Sequence, residues 1–283
     1  MRLHRAPDEA AAGRWYGRPM PAPDPQDLGA LDDHALASAL AEGAGRLLAD
    51  LRERLNAEGA SAAELKAAGD RVAHDHLMAA LATHRPEDAV CSEESEGARQ
   101  LDSSGLRSAG RVWIVDPLDG TREYSEGRDD WAVHVALAVD GLPEVGAVAL
   151  PPLGLVLGTG SPPALPPLAG EHLDHPRILV SRSRPPAEAH RLAEALDGRL
   201  IPMGSAGAKA MAVVRDEADI YPHSGGQYVW DNCAPAAVAL SAGLWCSRID
   251  GSPLRYDAPD PLLPDLLICR PELAQRVLDV LAT

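Results

Sequence analysis

Asp116 and Asp119 stand three residues apart at the end of an apolar run, Trp113-Ile114-Val115, and are followed by Gly120-Thr121. Pro117 between them fixes one φ angle and removes an N–H, so the chain must turn as the run ends. Gly120 then allows a close backbone approach or a positive φ. Both carboxylates can therefore converge on one point, with the Leu118 carbonyl beside them. Hard oxygen donors of this kind suit Mg²⁺, which binds to few carboxylates and keeps waters and substrate phosphate oxygens as its other ligands. The plainer reading of the same segment is a strand followed by an Asp-Gly turn.

Three further acidic positions stand out. Glu93 and Glu94 follow Val90-Cys91-Ser92, and taken alone such a pair reads as solvated surface. Asp231 opens an apolar stretch after Trp230 and by itself reads as a helix N-cap, as does Asp70 ahead of Val72, Leu77, Met78 and Leu81. An aspartyl-phosphate nucleophile of the haloacid-dehalogenase kind is excluded. It needs two aspartates two apart near the chain start, whereas these are three apart and mid-chain.

The surrounding pattern predicts what must position these residues. Leu36, Leu40, Leu47, Leu51 and Leu55 recur at helical spacing between Asp32 and about Asn56, and a second helix follows Asp70. Strand character covers 89–91, 112–115, 131–139 and 143–150, with Asp140-Gly141 as a hairpin turn. The Pro/Gly-rich stretch 151–170 reads as a boundary. Beyond it, strands near 177–180, 200–202 and 220–221 alternate with helices near 187–196, 206–215 and 231–242, the signature of an α/β half. Residues 1–27 lack periodicity and read as a disordered lead-in.

In order along the chain, the Glu93-Glu94 pair, Asp116-Pro-Leu-Asp-Gly-Thr121 and Trp230-Asp231 resemble the motifs of the inositol monophosphatase superfamily, lithium-sensitive and magnesium-dependent phosphatases. The resemblance runs from about residue 30 to the C-terminus. It implies an αβαβα sugar-phosphatase fold, an α/β layered arrangement with an antiparallel sheet and two helices over 28–158 and an α/β half over 159–283. It implies two or three Mg²⁺ ions on Glu93, Asp116, the Leu118 carbonyl, Asp119 and Asp231. Thr121 would activate the attacking water, with Asp70 accepting from its hydroxyl, and Gly120 and Thr121 would offer N–H groups to the phosphate.

Within that superfamily the chain is most similar to the 3′(2′),5′-bisphosphate nucleotidases, particularly actinobacterial ones. The features are Ser181-Arg182-Ser183, Gly204-Ser205-Ala206 with Lys209, and Asp231-Asn232-Cys233-Ala234-Pro235 with 250–256. Ser181, Arg182, Ser205, Lys209 and Asp231 would then contact substrate, and the implied reaction is removal of a phosphate from 3′-phosphoadenosine 5′-phosphate (PAP) in sulfur assimilation. Arg184 and Val229 depart from the branch, where a histidine and an acid are frequent. The alternatives are a broad phosphatase of inositol monophosphate or fructose 1,6-bisphosphate, and a metal-binding regulator without catalysis. Thr121 and Asp70 speak against the last.

Composition does not exclude a small anionic substrate. The formal charge of −16 opposes binding to nucleic acid or an anionic membrane surface, while bound cations invert the potential locally. No apolar run approaches the length of a membrane helix. The N-terminal residues carry no signal core, and four cysteines without C-x-x-C spacing fit reduced thiols in a cytoplasm. A homodimer remains open.

Overall fold

The structure, a computed structural model, describes residues 28–95 and 110–282; the expected lead-in at 1–27 lies outside them. Two five-stranded sheets organise the chain. The first has the order β1 (Ala89–Ser92), β2 (Arg111–Asp119), β3 (Ala132–Val139), β4 (Leu142–Leu150), β5 (Leu155–Gly158). The second is built from β6 (Arg177–Ser181), β7 (Arg199–Met203), β8 (Ile220–Tyr228), β9 (Trp245–Ser247) and β10 (Leu262–Cys269), in the order β7-β6-β8-β10-β9.

Side-chain alternation along the strands explains the layering. On β2, Trp113 and Val115 face the long helices α1 (Asp33–Ala57) and α2 (Ala62–His84), joining Leu40, Leu48 and Leu77 in one apolar cluster. Val112 and Ile114 face the other way. Together with Ala132, Ala136 and Ala138 of β3 they meet α6 (Ala206–Val214) and α7 (Val229–Ser241), whose opposite sides pack on Leu263, Leu266 and Ile268 of β10. A third cluster lays α5 (Ala187–Ala195) and α8 (Ala274–Leu281) over the outer face of the second sheet. The layers are thus α1/α2, sheet, α6/α7, sheet, α5/α8, the expected αβαβα order. Alanines on the inner face of β3 let the middle helices sit close, and at Gly146 of β4 a Cβ would lie 2.7 Å from both the Ala234 carbonyl oxygen and the Ala237 Cβ.

Several expectations need correction. The first sheet is mixed, because β1 runs parallel to β2. The 151–170 stretch is not all connection: β5 pairs with β4 within it. The strands β9 and β10 and helix α8 escaped the sequence pattern, because Pro264 and Asp265 interrupt the alternation of β10 and β9 has three residues. Asp70 is not an N-cap. Ser61 caps α2 with Glu64 in a reciprocal capping box, and Asp70 lies well inside the helix. Among the described residues, no helix is long and apolar enough to cross a membrane.

Candidate metal centre

The two aspartates of β2 converge through a bulge. Asp116 pairs with His134 of β3 and Asp119 with Ala132, so β2 spends three residues where β3 spends two. In a regular strand, positions an odd number apart point to opposite faces. The extra residue, supplied around Pro117, resets that alternation and puts both carboxylates on the inner face. Gly120 follows at φ +88°, where an added Cβ would lie 3.1 Å from Ser205 Cβ and 3.2 Å from Trp131 Cβ. The chain then enters the short helix α3 (Thr121–Ser125). From the outer side, Gly69 of α2 lets that helix approach the bulge, since a Cβ there would lie 3.0 Å from Leu118.

Asp231 arrives from the first turn of α7, its Oδ2 accepting from the Tyr228 N–H at 2.7 Å. Asp116, Asp119 and Asp231 each offer an oxygen, all within 4.8 Å of one another. Glu93, just past β1, shares a hydrogen bond with Asp116. Its place is set by the Glu93 N–H donating to the Val115 carbonyl at 3.3 Å and by buried Ser92, whose hydroxyl meets His74 Nδ1 at 3.0 Å. The Leu118 carbonyl accepts from the Thr121 hydroxyl at 3.4 Å, while the Leu118 N–H donates to Asp116 Oδ1 at 3.0 Å. Asp116, Asp119 and Asp231 thus share one point, with Glu93 hydrogen-bonded to Asp116 beside them.

Electrostatics test whether these residues fit a cation. Burial pushes the Asp116 carboxyl well above the carboxylate range, and the charges of Glu93, Asp119 and Asp231 push it further. Burial and Asp119 raise Asp231 to about 7, and burial and Glu94 raise Glu93 to about 7. Carboxylates packed this closely hold protons unless a positive charge takes their place. A hard divalent cation is the group that the oxygen donor set fits.

Asp119 differs from its neighbours. Against the cost of burial, His134, Ser205 and the Gly207 N–H hold it down to about 2. Its Oδ2 accepts from Ser205 Oγ at 2.5 Å and the Gly207 N–H at 2.6 Å, and its Oδ1 from the Ala206 N–H at 3.1 Å. A buried carboxylate at the positive end of α6 is well placed. Ser205 pays for this contact with a φ of +33°, unusual for a residue with a side chain. The Gly204 N–H is held by Asp130 at 2.6 Å, and a Cβ at 204 would strike Glu123.

Two expected partnerships are absent. The Thr121 hydroxyl donates to Leu118, not to Asp70. Asp70 instead faces Glu94 and Lys66, and burial with Glu94 raises it to about 7. Lys209, expected at a ligand surface, is 5% exposed. Its Nζ donates to the Gly204 carbonyl at 2.6 Å and the Ser205 carbonyl at 2.5 Å and lies over the Tyr221 ring; burial lowers it to about 8. Lys209 thus braces the Ser205 turn from beneath. Arg182 bridges to α3, with Nε 2.7 Å from Glu123 and an Nη 2.6 Å from Glu126. Ser181 Oγ accepts from the Arg184 N–H at 3.3 Å and lies 3.4 Å from Ser183 Oγ. His134 and Asp130 escaped sequence reasoning. The signal for His134 was a lone polar residue on the inward face of an otherwise apolar strand.

Such a centre, with carboxylates from β2 and the end of β1 in the first sheet and from the middle helix α7, has the donor set of a divalent-cation site. The chain belongs to the inositol monophosphatase family, whose profile matches residues 32–281, and metal dependence is general to that family. It is 46% identical over 261 residues to the 3′-phosphoadenosine 5′-phosphate phosphatase of Mycobacterium leprae, covering 89% of this chain and 94% of that one. It is 29% identical to the 3′(2′),5′-bisphosphate nucleotidase CysQ of Escherichia coli, over 69% of this chain and 81% of that one. Among solved structures, CysQ from Bacteroides thetaiotaomicron superposes with a TM-score of 0.68 at 25% identity, covering 83% of this chain and 96% of that one. Staphylococcal IMPase-II superposes at 0.71 and 22%, over 88% and 93%, and supports the fold.

Proposed function

We propose that this chain hydrolyses PAP to AMP and phosphate with Mg²⁺, and that the convergence of Asp116, Asp119 and Asp231 carries the reading. Glu93, Asp116, Asp119, Asp231 and the Leu118 carbonyl would hold two or three ions. Bound there, the ions supply an activated water and neutralise phosphate charge. The protein's own groups do the rest. The Thr121 hydroxyl makes only a long bond to Leu118, so it is available to orient a water at Oγ1. Asp70, titrating at about 7, can accept a proton at neutral pH through an intervening water. The N–H groups of Gly120 and Thr121 would receive a phosphate oxygen.

The choice of PAP rests on the mycobacterial relatives and on Arg182, which is paired with Glu123 and Glu126. Arg182 can exchange Glu123 and Glu126 for a second phosphate, a stronger bidentate partner. Lys209 is committed to backbone carbonyls, so its role is to hold the Ser205 turn. Kinetics on PAP, inositol 1-phosphate and fructose 1,6-bisphosphate test the reading. PAP is expected to give the highest kcat/KM, and Arg182→Ala to lower it about tenfold while leaving inositol 1-phosphate nearly unchanged. Lys209→Ala is expected to impair all three substrates alike. Equal efficiency on all three in the wild type would favour the broad sugar-phosphatase alternative.

A further inference from the structure

His134 is fully buried on the inner face of β3, directly across from Asp116 in the strand register. Its ring spans two elements. Nδ1 lies 3.0 Å from the Trp230 carbonyl, which can only accept, so Nδ1 donates. Nε2 lies 3.1 Å from Asp119 Oδ2, in charge contact, with the ring N–H off the direct line to the oxygen. Trp230 immediately precedes Asp231, so the ring joins one proposed ligand directly to the backbone that carries another.

The fold makes room for this ring at one residue. A Cβ on Gly207 would lie 2.1 Å from His134 Nε2, too close for any side chain. Gly207 also donates its N–H to the same Asp119 oxygen at 2.6 Å. Oδ2 therefore takes two hydrogen bonds, from Ser205 Oγ and the Gly207 N–H, beside the charge contact with His134, whereas Oδ1 receives a single N–H. The carboxylate is fixed in rotation, its less occupied oxygen free for another partner.

We propose that His134 is a positioning residue for the metal centre: through its contact with Asp119 it locks the orientation of that carboxylate. The proposal rests on the metal-dependent reading above, and its test separates the two. Asparagine places its amide near Nδ1 and keeps the Trp230 bond, whereas glutamine reaches the position of Nε2 and keeps the Asp119 contact. Each variant loses one buried interaction, so a purely structural role predicts similar behaviour for both.

The measurement is calorimetric titration of Mg²⁺ into metal-stripped protein, with melting temperatures recorded beside it. His134→Asn is expected to weaken Mg²⁺ binding about tenfold or more, the usual effect of losing a partner that orients a ligand. His134→Gln is expected to remain within about threefold of wild type, although both variants melt lower. Gly207→Ala, which pushes the ring from Asp119, is expected to weaken binding as His134→Asn does, and decides the question should His134→Asn fail to fold. Unchanged affinity in His134→Asn, or equal weakening in both His134 variants, overturns the positioning role. A wild-type protein that binds no divalent cation overturns the metal-dependent reading itself.

Discussion

Asp116→Asn is expected to lower phosphate release at saturating Mg²⁺ by about a thousandfold while raising the melting temperature of the metal-free protein. Asp116 is 1% exposed and has three carboxylates for neighbours, Glu93, Asp119 and Asp231. Asparagine keeps the Oδ1 that accepts from the Leu118 N–H, so the bulge retains its hydrogen bond and its shape. What disappears is an ionisable carboxyl. Without a cation that carboxyl is a liability at neutral pH, because folding must either protonate it or bury its charge among like charges. With one, it is part of the transition-state stabilisation, where several kcal/mol corresponds to about three powers of ten in rate. Phosphate release and thermal melting of the same two proteins, with EDTA and with Mg²⁺, give both numbers. Turnover within tenfold of wild type would remove Asp116 from the centre, and a marked fall in metal-free melting temperature would refute the repulsion argument.

Metal-free protein is also expected to lose stability as pH rises from about 4 to about 7, and Mg²⁺ to return it. Folding raises Asp70, Glu93 and Asp231 to about 7 from ordinary values near 4. Between those limits the folded state holds more protons than the unfolded chain, so stability falls with increasing pH. Their contribution is fully present below about pH 4 and gone above about 7. His134, raised by Asp119 and the Trp230 carbonyl against the effect of burial, adds in the same direction. His76 and His223, lowered by burial, act oppositely. Asp119, at about 2, changes only below this window. One pKa unit on a buried group is worth about 1.4 kcal/mol, or about 2–4 °C of melting temperature in a chain of this size. A drop of several degrees across the window in EDTA, largely abolished by Mg²⁺ at pH 8, is the expected result. A flat or rising profile in EDTA would show that the carboxylates are not coupled as described.

How much of this was legible depends on whether the signal was local. Asp116-Pro-Leu-Asp-Gly declares itself, because a proline between two acids at a strand end has few other uses, and the bulge it encodes is what brings the acids together. Asp231 and Glu93 carry weak signals alone and gained meaning from their order along the chain. Lys209 could not be placed from its neighbours. Alanines and glycine surround it in sequence, and its burial follows from β8 and Tyr221 lying beneath α6. His134 was hidden in a strand whose alternation drew attention to its apolar residues. Its partners lie 15 and 96 positions away. The start of α2 was readable from Ser61 and Glu64 and was misplaced at Asp70, because the apolar pattern is clearest from Val72 onward.

The layering also bears on when the centre comes into being. Asp116 and Asp119 belong to the first sheet, as does His134, but the hydrogen-bond donors to Asp119 lie 86 to 88 residues later in the chain, and Asp231 later still. Closing loops of that length is slow relative to forming helices and hairpins. A chain that has assembled only α1, α2 and the first sheet would carry two acids without the donors of the Ser205 turn and without Asp231. Docking of α6 and α7 between the sheets is the step that completes the constellation. High-affinity cation binding during refolding should therefore appear with the final, slowest phase rather than with the early burst of secondary structure.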